Sequence, residues 1–548
     1  MSGKPILPIL VSAILFAQTA PKTTIQVTTR LVEVNAIVRD KGQIVRGLTK
    51  DDFILLDDNR PQKIATFSTT TSATPTVKAA PLPPNLFTNI PGYATERPNN
   101  VTVVLMDGLN TTAFDKPYAH QQFLKFLKQV HDDDRVAVYA LGRKLVVLSE
   151  FTSDASRLVA AVEHFADPNL GVAEATDPNS PDYGSTPADV SAKGSVDGGY
   201  TGLLNALQDA QQAAADFATL TSGEITVAAL ESIANHLASV PGRKNLIWIT
   251  GNIPLRIAFM LRPNQPQAAD RNLLGEETYR AVKALNDADI AVYPVDARGL
   301  IPGPALIPTS GHMTVAQAMK GGPSVSSMSV SASHDSMIGI AHATGGLPFY
   351  NSNDIKGAIR RAIDDSEFTY NLGYYPDKID DTTHVLKLRV KDKNYEIRSR
   401  TAYRAGKEDV PTEQQRQNLL RDALWSPVSA TGIGLAVRAD KVDQPKAGSL
   451  HLTMAISSGD LTLDPKDGKW AGAVDYLIAQ RSADGRFLTR TAKGVALNFD
   501  EQQVRQLRTD GVTISDTVEP VAGAAEIRVV LLDRTSGKIG SVTVPLRQ

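Results

Sequence analysis

Residues 103–112 read VVLMDGLNTT: four apolar side chains, one carboxylate at Asp107, then Gly108 and a cluster of mostly polar residues. Extended back to VTVVLMD (101–107), the run has the length and bounding turn residues of a strand buried on both faces. Its carboxylate has two readings. Asp107 either holds a cation at the end of that strand or caps the turn that closes it.

The segments around it repeat the pattern. RVAVYALG (135–142), KNLIWITG (244–251) and IAVYPVDAR (290–298) are further buried strands, and KLVVLSEF (144–151) is the hairpin partner of the first of these. Helical spacing falls at 118–130, 154–165, 226–237, 277–288, 338–344 and 353–364. Strands alternating with helices predict an α/β domain over 100–365 built on a doubly wound, mostly parallel sheet. Two stretches rich in Gly, Pro, Ser, Ala and Asp, 166–198 and 300–335, are expected to be loop insertions.

On either side the periodicity changes from helical to two-residue alternation. Residues 22–69 include TTIQVTTRLVEVNAIVRD and two short strands joined through Asp57-Asp58-Asn59, a run suited to a hairpin turn. A Pro/Thr-rich linker is expected over 70–99. Residues 366–405 return to alternation and are expected to pack with 22–69, since each segment alone offers too few strands for a stable core. After a linker around 405–418, short strands between turn signals predict a C-terminal β-sandwich over 419–548.

A chain of 548 residues exceeds the size of one hydrophobic core. With 42% hydrophobic and 21% charged residues it is neither collagen-like nor wholly disordered. Its 57 basic and 59 acidic residues leave a net charge of -2, so no overall field draws it to nucleic acid. The absence of cysteine excludes disulfides, thiol nucleophiles and thiolate metal sites. Residues 1–20 carry one lysine, an apolar stretch and small residues, the layout of a secretory signal. Pro21 disfavours cleavage after Ala20, leaving cleavage after Ala17 or retention as an anchor. The expected location is exported, in the periplasm, the cell envelope or the medium, with membrane contact only through this segment.

Six segments occur together in order: LVEVNAIVRD with GLTKDDFILLDDNRPQKIATFS, VVLMDGLNTT, PGRKNLIWITGNIP, ADIAVYPVDARGL, ATGGLPFYNSNDI and YNLGYYP. With these, the chain resembles a von Willebrand factor type A domain, and more closely the VWFA-related family of secreted bacterial proteins, notably of Acidobacteria. The resemblance covers roughly residues 25–405. It implies Mg²⁺ or another divalent cation held by Asp-x-Ser-x-Ser on the first strand, a loop Thr and a later Asp, with a partner's carboxylate completing the sphere. Asp107 matches the first position and Thr111 the third, while Leu109 stands where a Ser is expected. Thr226 is favoured over Thr201 as the loop ligand by its spacing from Thr250. Thr250-Gly251-Asn252 replaces the usual Thr-Asp-Gly. This degenerate set implies a cation bound weakly or absent, with Asn110, Thr112 and Asp115 as auxiliary oxygen donors.

Other chemistry is poorly represented. No Gly-x-Ser-x-Gly elbow or paired-His zinc pattern occurs, and Gly345-Gly346 reads as a helix stop. Asp132-Asp133-Asp134 reads as a solvated turn, Arg243-Lys244 as a strand entry, and Tyr374-Tyr375 as sandwich core and edge. The expected function is an exported, non-enzymatic protein-binding or adhesion protein with an unidentified protein ligand. A metal-independent structural or assembly scaffold of the cell envelope is the alternative.

Overall fold

A computed structural model describes residues 31–71, 82–90, 101–112, 115–165, 219–255, 275–300, 325–378, 382–391, 393–404 and 410–546. The expected signal, the insertion at 166–198 and Thr201 lie outside them. The fold is mixed α/β, with several antiparallel sheets and one mixed sheet.

The mixed sheet orders its five strands as Ile290–Asp296, Lys244–Thr250, Thr102–Asp107, Val136–Leu141 and Leu145–Thr152. The first three pairings are parallel and the last is antiparallel. Because alternate side chains point to opposite faces, Val103 and Leu105 serve one core and Val104 the other. The first face packs on helices 219–237, Gly275–Asp287 and Val325–Thr344. The second packs on Lys116–Leu127, Ala155–His164 and Ile355–Asp364. A strand covered on both sides must be apolar throughout, which is why these segments read as continuous hydrophobic runs. At the end of the Val325–Thr344 helix, Gly345 turns with φ +78°. A Cβ on Gly346 would lie 1.9 Å from the Val292 carbonyl oxygen, so only glycine lets helix and strand meet there.

Val32–Asp40 pairs with Phe368–Tyr374 and Glu396–Arg398, and Phe53–Asp57 pairs with Thr383–Val390. Two sheets drawn from both sides of the α/β unit therefore enclose one apolar cluster that includes Val34, Leu55, Tyr370 and Leu386. At the C-terminal end, the sheet containing Leu435–Val442 and the sheet containing Lys469–Ser482 share another core.

Several expectations are corrected. Residues 325–335, placed in a loop insertion, form the first half of a twenty-residue helix. Their serines masked its periodicity, although Ser333 among them is buried. Within the expected 70–99 linker, Leu86–Thr88 joins the C-terminal sheet beside Leu435–Val442. Buried Asn89 anchors it, donating to the carbonyls of Ala430 (2.6 Å) and Ile433 (2.8 Å) and accepting from Leu435 N (2.7 Å). Residues 413–418 of the next expected linker belong to the helix Glu413–Trp425, capped by Thr412 and Gln415.

Asp57 is no mere turn residue: it is buried, accepting from Tyr374 (3.0 Å) and Tyr403 (2.7 Å) and lying 2.8 Å from His384 Nδ1. Asp134 is not solvated either, because Arg360 grips both its oxygens at 2.8 and 3.1 Å.

Asp365 ties the β unit to the α/β unit. It receives Arg39 at 2.8 Å, Arg398 at 2.5 Å and the Tyr293 hydroxyl at 3.1 Å, and is 1% exposed. Removing one partner of a buried ionic cluster leaves the others unpaired and costs about 3–5 kcal/mol. Asp365→Ala is expected to destabilise the chain by that amount in urea unfolding. Its neighbour Asp364, 45% exposed beside Arg360, should lose under about 1 kcal/mol on the same substitution; equal losses would refute this role for Asp365.

Candidate functional site

The three parallel strands Thr102–Asp107, Lys244–Thr250 and Ile290–Asp296 end side by side, and their last residues define a crevice at the carboxyl edge of the sheet. Open α/β sheets commonly place ligands at such an edge. Two carboxylates, Asp107 and Asp296, stand on it.

Asp107 is 3% exposed. Its Oδ1 accepts from Asn110 N at 2.9 Å. Its Oδ2 is met by Asn110 Nδ2 at 2.9 Å, Trp248 Nε1 at 2.9 Å and the Thr250 hydroxyl at 2.8 Å. The turn is built for this: Gly108 N and Leu109 N both bond the Leu141 carbonyl, which swings Asn110 back over the carboxylate. Burial pushes the Asp107 carboxyl above its usual range, against the pull of the Asn110, Thr250 and Trp248 donors.

The structure brings Asp107, Asn110, Thr111 and Thr226 together. Asn110 Nδ2 also donates to Thr226 Oγ1 at 3.0 Å, and Thr226 donates to Ser222 O at 2.7 Å. Thr111 Oγ1 accepts from Gly251 N at 2.9 Å. Thr112 and Asp115 turn elsewhere, bonding each other at 2.7 Å in an exposed cap. Leu109 is half-buried and packs against the apolar core.

These residues do not fit a divalent cation. A hard ion such as Mg²⁺ needs several free oxygen lone pairs in octahedral array. A carboxylate offers roughly two acceptor sites on each oxygen; here three protein donors crowd Asp107 Oδ2 and the Asn110 amide lies on Oδ1. The position after the Thr250 strand, where a third ligand would stand, is a glycine that supplies no side chain and is tightly packed: a Cβ on Gly251 would sit 3.3 Å from Asn110 O and 3.3 Å from Thr111 Cα.

The second carboxylate, missed in the sequence, is equally enclosed. Asp296 receives Arg298 Nε and Nη2, both at 2.8 Å, and lies 2.8 Å from His334 Nε2. Burial alone would raise its carboxyl, but His334 and Arg298 outweigh it and hold the group below the usual range. The DAR run carried a weak signal of this pair; His334 was hidden in the expected insertion. Trp248 was legible only as core. Arg243 serves the strand entry, donating to Gly345 O at 2.5 Å and to Tyr293 at 3.2 Å.

No family model matches the chain, and no curated protein does. Among solved structures, an aerotolerance-related membrane protein from Bacteroides fragilis is 15% identical, covering 48% of this chain and 99% of its own, with a TM-score of 0.24. A von Willebrand factor type A protein from Catenulispora acidiphila is 10% identical over 66% of this chain and 80% of its own, with a TM-score of 0.24. Three N-terminal domains of the type V pili tip protein Mfa5 from Porphyromonas gingivalis are 9% identical over 88% and 96%, with a TM-score of 0.26. Scores of this size leave the chain without an assigned family.

The raised Asp107 carboxyl gives a pH test. The folded state holds this proton more tightly than the unfolded chain, whose carboxyl titrates near ~3.9. Its contribution to stability is therefore full below about pH 4 and is lost as pH rises through the folded midpoint. The unfolding free energy of the wild type minus that of Asp107→Asn, from urea titrations, should fall over that window and then level off. A difference that rises with pH would show a depressed carboxyl instead.

Proposed function

We propose that the chain is an exported, non-enzymatic protein-binding protein of the cell envelope, whose α/β unit is a doubly wound, type A-like module that engages its partner without a cation. The secretory layout of residues 1–20 supports export. Among the described residues, no helix is long and apolar enough to cross a membrane.

One observation carries the binding reading. At the carboxyl edge of the sheet both carboxylates are hydrogen-bonded from within, Asp107 by neutral donors and Asp296 by Arg298, while large apolar side chains stand exposed close to Asp296. Leu300 is 60% exposed and Tyr350 is 37% exposed. Both are held in place: Leu300 N donates to Asn353 Oδ1 at 2.8 Å, and Tyr350 stacks on His334 with ring centres 4.6 Å apart. An open groove of about 430 Å³ beside them is lined by Leu347, Phe349, Tyr350 and Arg361 among others. Fixed aromatic and apolar groups next to an arginine are the composition of a protein-binding surface.

The test is capture of partners from an envelope fraction of the source cells by the immobilised chain. Leu300→Asp with Tyr350→Ala should weaken capture at least about tenfold, the loss of a hot-spot pair, and capture by the wild type should be equal with and without chelator. Capture that disappears on chelation would restore a metal-dependent adhesin; capture unaffected by the double substitution would place the binding surface elsewhere.

A further inference from the structure

Asn110 commits both its amide protons inside the crevice. Its Nδ2 lies 2.9 Å from Asp107 Oδ2 and 3.0 Å from Thr226 Oγ1. Those are the oxygens that the sequence pattern offers to a cation from the first strand and from the helix. The backbone amide of the same residue takes the other Asp107 oxygen at 2.9 Å. An amide nitrogen between two oxygens stands where a small cation would bridge them, at distances longer by about 0.9 Å than a Mg²⁺–oxygen bond.

We infer that the Asn110 amide is a built-in replacement for the cation, holding the strand-end loop, Asp107 and the 219–237 helix in one arrangement that no metal switches. This deepens, and rests on, the cation-independent reading above. The surroundings fit a permanent plug. Leu109 is half-buried and packs against the core, so rolling the turn to present another side chain would lose that contact. Thr111 is engaged by Gly251 N, and the loop backbone packs tightly against Gly251, where a side chain would have to push it aside. The arrangement also predicts how to undo it. Asn110→Asp turns the plug into a second carboxylate beside the buried Asp107, and two like charges at that distance repel unless a cation joins them.

The experiment compares full-length wild type, Asn110→Asp and Asn110→Ala by thermal melting in EDTA and in about 1 mM Mn²⁺, with bound Mn²⁺ counted from the loss of the free-ion paramagnetic resonance signal. The wild type should melt identically in both buffers and bind no Mn²⁺. Asn110→Ala should melt lower by roughly 5 °C in both. Asn110→Asp should melt lower in EDTA, recover in Mn²⁺ and bind one ion per chain. The inference is overturned if wild type binds Mn²⁺ in a manner lost with Asp107→Ala, if Asn110→Ala leaves the melting point unchanged, or if a folded Asn110→Asp ignores Mn²⁺. Should Asn110→Asp fail to fold in EDTA, wild type and Asn110→Ala decide the matter. Failed partner capture together with a Mn²⁺-indifferent wild type would sink the binding reading alone, whereas Mn²⁺ binding by wild type would sink the plug and leave the binding surface standing.

Discussion

A carboxylate taken out of water must be met by donors, because an unpaired buried charge costs several kcal/mol. Asp107 imposes that requirement at the centre of the α/β unit. Trp248 and Thr250 answer it from the neighbouring parallel strand and Asn110 from the turn. The Trp248 ring, fully buried in the core, thereby links apolar packing to the polar crevice. The same solution appears at Asp296, Asp365 and Asp57, each a buried carboxylate clasped by side chains from elsewhere in the chain. These four knots join strand to strand and unit to unit. Those at Asp107 and Asp296 lie at the carboxyl edge of the sheet and fill it with internal contacts.

The parallel strands were legible because burial on both faces forces an unbroken apolar run, as in VVLM and LIWI. The helix expected from residue 154 begins at Asp154, which caps it by accepting from Ser156 N and Arg157 N. What stayed hidden was set by distant contacts. Leu86–Thr88 is a strand only because Leu435–Val442 lies beside it, more than three hundred residues away. Val325–Thr344 is helical despite a serine-rich first half because its later turns pack on the sheet.

The site was half legible. The resemblance singled out Asp107 and Thr111 and marked Leu109 and Gly251 as departures from the pattern, and spacing from Thr250 favoured Thr226. Spacing could not show that Asn110 fills the gap those departures leave, since its role depends on a turn conformation and on an oxygen 116 positions away. For the same reason Asp57 and Asp134 read as turns: their partners, Tyr374 and Arg360, are remote in sequence. Charged residues in turn-like runs are easily taken for solvated ones unless their partners are known.

The central claim, a strand-end site closed by its own side chains, is tested most directly by crystals of the wild-type chain grown in Mn²⁺ and examined for anomalous scattering. The account predicts no anomalous peak at Asp107, with the Asn110 amide nitrogen bridging Asp107 and Thr226. A peak within about 2.5 Å of an Asp107 oxygen, a metal–ligand distance, with Asn110 turned aside, would contradict it.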